Sequence, residues 1–329
     1  MRASNHDGAH RGRLTLCFLL AVTLVASGCQ RTEDTLSDGP ATDSRSAAIP
    51  RMAPLLGPQP GSLEPINLPS GRSFLVQLPA ALDHTAEETR AAGKSRREWP
   101  VVFVFHGWKE TAAELQHYTQ MSDAEAIVVF PQGVDNAWAP APYASTSGEE
   151  DIDFVHDIVD SLRATYPVDR QRIYAAGMSN GGGFAQYLAC QEPDLVAGVA
   201  AVAAANYDPV FSGCAASDIP RLSIHGTHDE VMDYFGGDRH DQRYQSVPDV
   251  VAMDAQRNGC TSAVRVEKLE KFAIQETYQG CRAPLQHVRI TGGGHIWPGR
   301  PNRRQQDIAS GFATDRVLDF FAIPGRETS

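Results

Sequence analysis

Positive charge is scarce in this 329-residue chain: 29 Lys and Arg stand against 40 Asp and Glu, a net charge of −11. A surface that grips a phosphate backbone or an anionic membrane needs Lys and Arg in excess on one face, so no nucleic-acid partner is expected. No CxxC pair occurs, which weighs against a zinc site. No internal repeat is visible. The apolar run Leu14 to Ala26 is too short for a spanning helix.

What is there points to export. Arg2, Arg11 and Arg13 precede that apolar run, and small Ser27 and Gly28 follow it, so residues 1–28 read as a signal peptide. Ala26-Ser27-Gly28-Cys29 resembles a bacterial lipobox, whose cysteine is acylated; Ala26 departs from the usual leucine, so ordinary cleavage with release is the alternative. Either way the protein is expected outside the cytoplasm of a bacterium, touching membrane only through Cys29. Cys190, Cys214, Cys260 and Cys281 then remain, an even set in an oxidising compartment. Of their three pairings, the sequence-local ones are expected, Cys190 with Cys214 and Cys260 with Cys281.

Residues 29–65 are rich in Pro, Ser, Thr, Asp and Gly and carry no apolar period, so they read as a flexible tether. From residue 66 to 324 short apolar runs alternate with helical periods, the pattern of a single α/β domain whose mostly parallel central sheet is covered by helices, before a tail at 325–329. Val101–Phe105, Ile127–Phe130, Arg172–Ala176, Val199–Ala204 and Leu222–Ile224 are expected strands. Phe154, Val155, Ile158, Val159 and Leu162 recur at helical spacing, predicting a crossover helix from about 153 to 166; a closing helix is expected over 307–321.

The chemistry-bearing segment is Gly177-Met178-Ser179-Asn180-Gly181, between an expected strand and an expected helix. A turn that tight needs glycine at its flanks and lifts the serine hydroxyl out at the sheet edge, where the helix N-terminus faces developing negative charge. A nucleophilic serine needs a base, and in this fold the order along the chain is Ser, then Asp or Glu, then His. His295, after Gly292-Gly293-Gly294, is the candidate base, with His287 and His240 as competitors. Asp229, in His225-Gly226-Thr227-His228-Asp229 after a strand, is the candidate acid, with Glu230, Asp233 and Asp249 as alternatives. His225 and His228 have a spacing that suggests a metal, but no third ligand accompanies them. The backbone amides of Asn180 and Trp108 are the candidate oxyanion donors, Trp108 because His106-Gly107 ends the Val101–Phe105 strand. Four motifs, at His106-Gly107, Pro131-Gln132-Gly133, Gly177 to Gly181 and His225 to Asp229, thus follow expected strands, at the carboxyl edge where open α/β sheets bind ligands. Trp138, Tyr234 and Trp297 lie within or beside these motifs and are candidate pocket walls.

His106-Gly107, Pro131-Gln132-Gly133, Gly177 to Gly182, His225 to Asp229 and Gly292 to Gly299 together resemble the polyhydroxybutyrate depolymerase and feruloyl or acetylxylan esterase family over about 75–321. The resemblance implies an α/β-hydrolase fold, a Ser179–Asp229–His295 triad, hydrolysis of carboxylic esters through an acyl-enzyme, and no metal or organic cofactor. It also implies the Cys260–Cys281 disulfide. His228 and Trp108 stand where that family often has smaller residues. Feruloyl or acetyl carbohydrate esters and hydroxyalkanoate oligomers are the expected substrates of a monomer. The alternatives are a serine peptidase on the same fold and a non-catalytic carbohydrate-binding lipoprotein.

Overall fold

In the computed structural model the described residues are 65–82, 97–121, 124–301 and 307–325, and they belong to one compact unit. The candidate signal, tether and Cys29 lie outside them.

Ten strands form one sheet: β1 (Ile66–Asn67), β2 (Ser73–Gln77), β3 (Trp99–Phe105), β4 (Ile127–Pro131), β5 (Val168–Met178), β6 (Gly198–Val202), β7 (Arg221–Gly226), β10 (Val264–Lys268), β11 (Ala273–Tyr278) and β12 (Leu285–Ile290). Their spatial order is β1-β2-β4-β3-β5-β6-β7-β12-β11-β10. The six from β4 to β12 run parallel, and antiparallel strands flank them on both sides. A separate two-residue hairpin joins β8 (Gly237–Arg239) to β9 (Gln242–Tyr244). Parallel strands covered on both faces read as unbroken apolar runs, and β3 is buried at every position. Its side chains alternate between two cores: Trp99, Val101, Phe103 and Phe105 enter one, Val102 and Val104 the other.

Helices α2 (Gly148–Thr165) and α3 (Asn180–Gln191) cover the first face; α1 (Ala112–Thr119) and α5 (Phe312–Phe320) cover the second. The remaining helix, α4 (Val247–Arg257), packs Val247 and Val251 with Leu285 of β12. Helix α2 starts five residues before the expected point, because Ser147 and Glu150 form a capping box that satisfies a polar first turn. Helix α5 is shorter than expected and begins after Gly311, which sits at φ 79. Phe105 packs edge-on against both Trp138 and Phe184, and each such ring contributes roughly 1.5–3 kcal/mol by leaving water. Disulfides Cys190–Cys214 and Cys260–Cys281 are both formed. Among the described residues, no helix is long and apolar enough to cross a membrane.

Candidate active site

Strand β5 ends at Met178 and α3 begins at Asn180, so Ser179 alone makes the turn, at φ 54 and ψ −117. That conformation is strained for a residue with a side chain and persists only where neighbours enforce it. Here they do: Ser179 N–H donates to the Val202 carbonyl at 2.9 Å, and its own carbonyl accepts from Gly183 and Ala205 at 3.0 and 2.8 Å. A Cβ on Gly177 would strike the Gly181 backbone, and one on Gly181 would strike the Phe105 carbonyl. These two positions must be glycine for strand and helix to come this close.

The loops after β7 and β12 are laced together by Thr227 N–H to the Ile290 carbonyl at 2.9 Å and His228 N–H to the Gly293 carbonyl at 2.8 Å. This lacing brings Asp229 and His295 to the serine. Ser179 Oγ lies 2.9 Å from His295 Nε2, and His295 Nδ1 lies 2.7 Å from Asp229 Oδ2. The Asp229 side chain is wholly buried, which on its own would raise its pKa. Hydrogen bonds from His225 and His295, with their attraction for the carboxylate, outweigh the burial and hold it well below the usual carboxylate range. Its other oxygen, Oδ1, accepts from the Val231 and Met232 amides at 2.9 and 2.8 Å. The competitors are engaged elsewhere. His287 Nε2 pairs with the Tyr234 hydroxyl at 2.8 Å, His240 packs on Trp108 and Tyr143, Asp249 binds Ser246 at the start of α4, Asp233 holds the Phe235 amide, and Glu230 is exposed.

The backbone amides of Asn180 and Trp108 have no backbone acceptor among the described residues. The first opens a helix, where N–H groups have no intrahelical partner. The second is oriented by its own peptide plane. The Gly107 carbonyl accepts from His106 Nδ1 at 2.8 Å and from Glu110 N–H at 3.1 Å, so the Trp108 N–H, trans to that carbonyl, points the opposite way. His106 Nε2 accepts from Gly133 N–H at 2.9 Å, which leaves the ring proton on Nδ1. Burial lowers the His106 pKa to about 4, against the opposing pull of the Gly107 carbonyl, so the ring is neutral at ordinary pH. Asn180 is more than an amide: its side chain accepts from Trp138 N–H at 2.8 Å and donates to the Trp138 carbonyl at 2.9 Å.

The expected aromatic walls are not at the open site. Trp138 and Trp297 are fully enclosed: Trp138 stacks on Phe184 and Phe154, and Trp297 sits in the second core with its Nε1 on Thr314. Tyr234 is buried with Val247 and Leu285. Large rings at these strand ends fill core volume. The rings grouped around Trp108 are instead Tyr143 and His240: Trp108 stacks on Tyr143 at 4.3 Å and meets the edge of His240 at 4.9 Å. Sequence reasoning missed Tyr143, Glu110 and the inward turn of His225. One signal was available, since His-Gly both follows β3 and closes β7.

Residues 72–266 match the family model described as "Putative esterase". "Putative esterase NocK" of Nocardia uniformis subsp. tsuyamanensis is 29% identical over 245 residues, covering 67% of this chain and 71% of that relative. Feruloyl esterase C of Emericella nidulans is 25% identical over 278 residues, covering 82% of this chain and 90% of that relative. The solved acetyl xylan esterase from Aspergillus awamori superposes with a TM-score of 0.55 at 15% identity, over 80% of this chain and 99% of that one. At that identity the likeness is one of fold, the α/β-hydrolase fold. The chain belongs to this esterase family and is a carboxylic-ester hydrolase.

Proposed function

We propose that Ser179 is the nucleophile of a two-step ester hydrolysis. His295 Nε2 takes the hydroxyl proton as Oγ attacks the ester carbonyl, and Asp229 steadies the imidazolium that forms. The Asn180 and Trp108 amides receive the negative charge on the carbonyl oxygen. Collapse of the tetrahedral intermediate expels the alcohol, which takes the proton from His295 and leaves an acyl-serine. Water, activated by the same histidine, then releases the acid. The observation that carries this reading is the unbroken hydrogen-bonded chain Ser179–His295–Asp229, at 2.9 and 2.7 Å, beginning on a serine at φ 54.

The acyl group belongs to the feruloyl or acetyl esters of carbohydrates. Support comes from the activities for which the relatives are named and from the stacked rings of Trp108 and Tyr143, Trp108 being the residue whose amide is the second oxyanion donor of this reading. Such a surface favours a planar acyl group. The domain boundaries 1–28, 29–65 and 66–324, export of the protein, a monomeric state and acylation of Cys29 belong to the same reading. Palmitate labelling that persists in Cys29→Ala would remove the anchor.

Ser179→Ala is expected to lose on the order of a thousandfold or more of turnover on aryl esters and all labelling by a fluorophosphonate. Turnover near the wild-type rate would overturn the nucleophile. A screen of feruloyl, acetyl and 3-hydroxybutyrate oligomer esters is expected to give the highest kcat/KM on the feruloyl ester; preference for the hydroxybutyrate oligomer would overturn the substrate class.

A further inference from the structure

We propose that His225 is a positioning residue of this site, a second histidine that holds the acid Asp229 at the same carboxylate oxygen that receives His295. The inference rests on the Ser179–His295–Asp229 reading and adds a member to it.

The geometry begins with the two oxygens of Asp229. Oδ1 has its own pair of donors, the Val231 and Met232 amides. Oδ2, the oxygen that receives His295, has one other donor among the described residues, His225 Nε2 at 3.1 Å. The same Nε2 lies 3.0 Å from the Met232 carbonyl. A carboxylate and a carbonyl only accept, so the nitrogen between them carries a proton. His225 therefore ties both ends of the 229–232 turn, one through its carboxylate and one through its carbonyl. The ring is 2% exposed, and the carboxylate it holds is wholly buried. A buried anion persists only where its lone pairs are filled by donors; here the Val231 and Met232 amides and His295 Nδ1 donate to it, and the one N–H of His225 is shared between Oδ2 and the Met232 carbonyl.

Neither a metal nor a wall explains this ring. His228, its partner in the metal-like spacing, is exposed, and His225 is too deep to touch solvent. The charged and titratable groups around it are Asp229 on the following loop, His295 on the loop after β12, Tyr234, and His287 and Arg289 of β12; Arg289 is paired in register with His225.

One consequence follows. Without the His225 N–H, Oδ2 is free to turn about the pinned Oδ1, so His295 loses its orienting partner.

The test compares His225→Phe with His225→Gln, whose amide reaches about as far as Nε2, on a soluble aryl ester. His225→Phe is expected to lower kcat on the order of 10- to 100-fold, the worth of a hydrogen bond to a charged group, with KM changed by less than about threefold. His225→Gln is expected to recover about tenfold of that loss. A His225→Phe enzyme within about twofold of wild type, or a His225→Gln enzyme no better than His225→Phe, would overturn the proposal and assign His225 to packing alone. If the Phe variant does not fold, His225→Asn takes its place; its shorter amide cannot reach Oδ2, and equality with His225→Gln overturns the proposal. A Ser179→Ala enzyme that stays active would remove the underlying reading instead, so the two failures are distinct.

Discussion

The same dipeptide follows β3 as His106-Gly107 and closes β7 as His225-Gly226, and its two copies are used in opposite ways. The two glycines make room for different neighbours: a Cβ on Gly107 would press on the Glu110 carboxylate, and a Cβ on Gly226 would strike the Gly293 carbonyl. In both, the histidine is buried. His106 is a neutral bridge between two loops, donating from Nδ1 to the Gly107 carbonyl and accepting at Nε2 from Gly133. His225 instead offers a proton to a carboxylate and a carbonyl. One half of the site therefore aims a backbone dipole, and the other sustains a buried charge. Charge is the costlier of the two to disturb, and this ranks the effects of substitution.

The largest is on the charged half. Asp229→Asn keeps shape but replaces one oxygen with an NH2 group. If that group faces His295 and His225, two N–H donors meet another donor; if it turns to Oδ1's place, it meets the Val231 and Met232 amides. Either arrangement leaves buried donors opposed, and the first forces His295 into the wrong tautomer. Turnover is expected to fall on the order of 10³- to 10⁴-fold with little change in KM, as in other serine triads. Steady-state kinetics on an aryl ester checks this, and a loss below tenfold would mean the two halves differ less than the geometry implies.

How much of this was legible varies with what the sequence pattern reports. The elbow at 177–181, the strands at 101–105 and 127–130 and the order Ser, Asp, His were readable because glycine spacing and apolar runs are local signals. The β8–β9 hairpin was not, since its turn places His240 and Asp241 at φ 55 and 58 without the Asn-Gly or Asp-Gly that marks such turns. Strand β10 is exposed at all five positions, so no buried face imposed a period on it. His225 was visible only as one of a pair spaced like metal ligands. Residue spacing tells which side chains are near along the chain, not that the loop after β7 curls its acid back under the strand's last histidine. Trp138 and Trp297 were misplaced as walls for a related reason: proximity to a motif does not say which side of the backbone a ring takes.

The dipole half is expected to respond less. His106→Phe leaves the Gly133 amide without its acceptor and the Gly107 carbonyl with one donor fewer, so the Trp108 N–H is no longer aimed. Loss of an oxyanion donor costs about 10²- to 10³-fold, and imperfect aim is expected to cost about 10- to 100-fold in kcat. The same variant separates the halves by pH. The folded pKa of His106 is about 4 against an ordinary 6.5, so between those values the unfolded chain takes up a proton that the folded one refuses. Stability is therefore lost as pH falls from 6.5 toward 4, at up to about 1.4 kcal/mol per pH unit from this group. His287, lowered to about 3 chiefly by burial, adds a second slope over the same window. Asp229 acts lower: its contribution is present above the unfolded carboxylate value of about 3.9 and is lost only as pH falls below it. Urea unfolding of His106→Phe at pH 6.5 and 4.5 is expected to show a shallower loss than wild type; an equal loss would mean His106 is not neutral when folded.

The smallest effect sharpens the comparison most, because it asks whether charge matters at all beside the dipole. Glu110 accepts from the Gly107 amide at 3.0 Å and from the Tyr118 hydroxyl at 2.8 Å through the same Oε2, while its own amide donates to the Gly107 carbonyl. Its carboxylate is thus an acceptor beside a loop that must stabilise another negative charge. If its role is geometric, Glu110→Gln keeps an acceptor for Gly107 and removes a repulsion, and kcat is expected to stay within about threefold of wild type. Glu110→Leu keeps the bulk but strands the Gly107 N–H; at about 1–3 kcal/mol for an unsatisfied buried group, part of it felt by the neighbouring peptide, a drop of about tenfold is expected. Kinetics of the two variants side by side decide the matter. A Gln variant as slow as the Leu variant would show that the negative charge itself is required, and the dipole half would then depend on charge as the Asp229 half does.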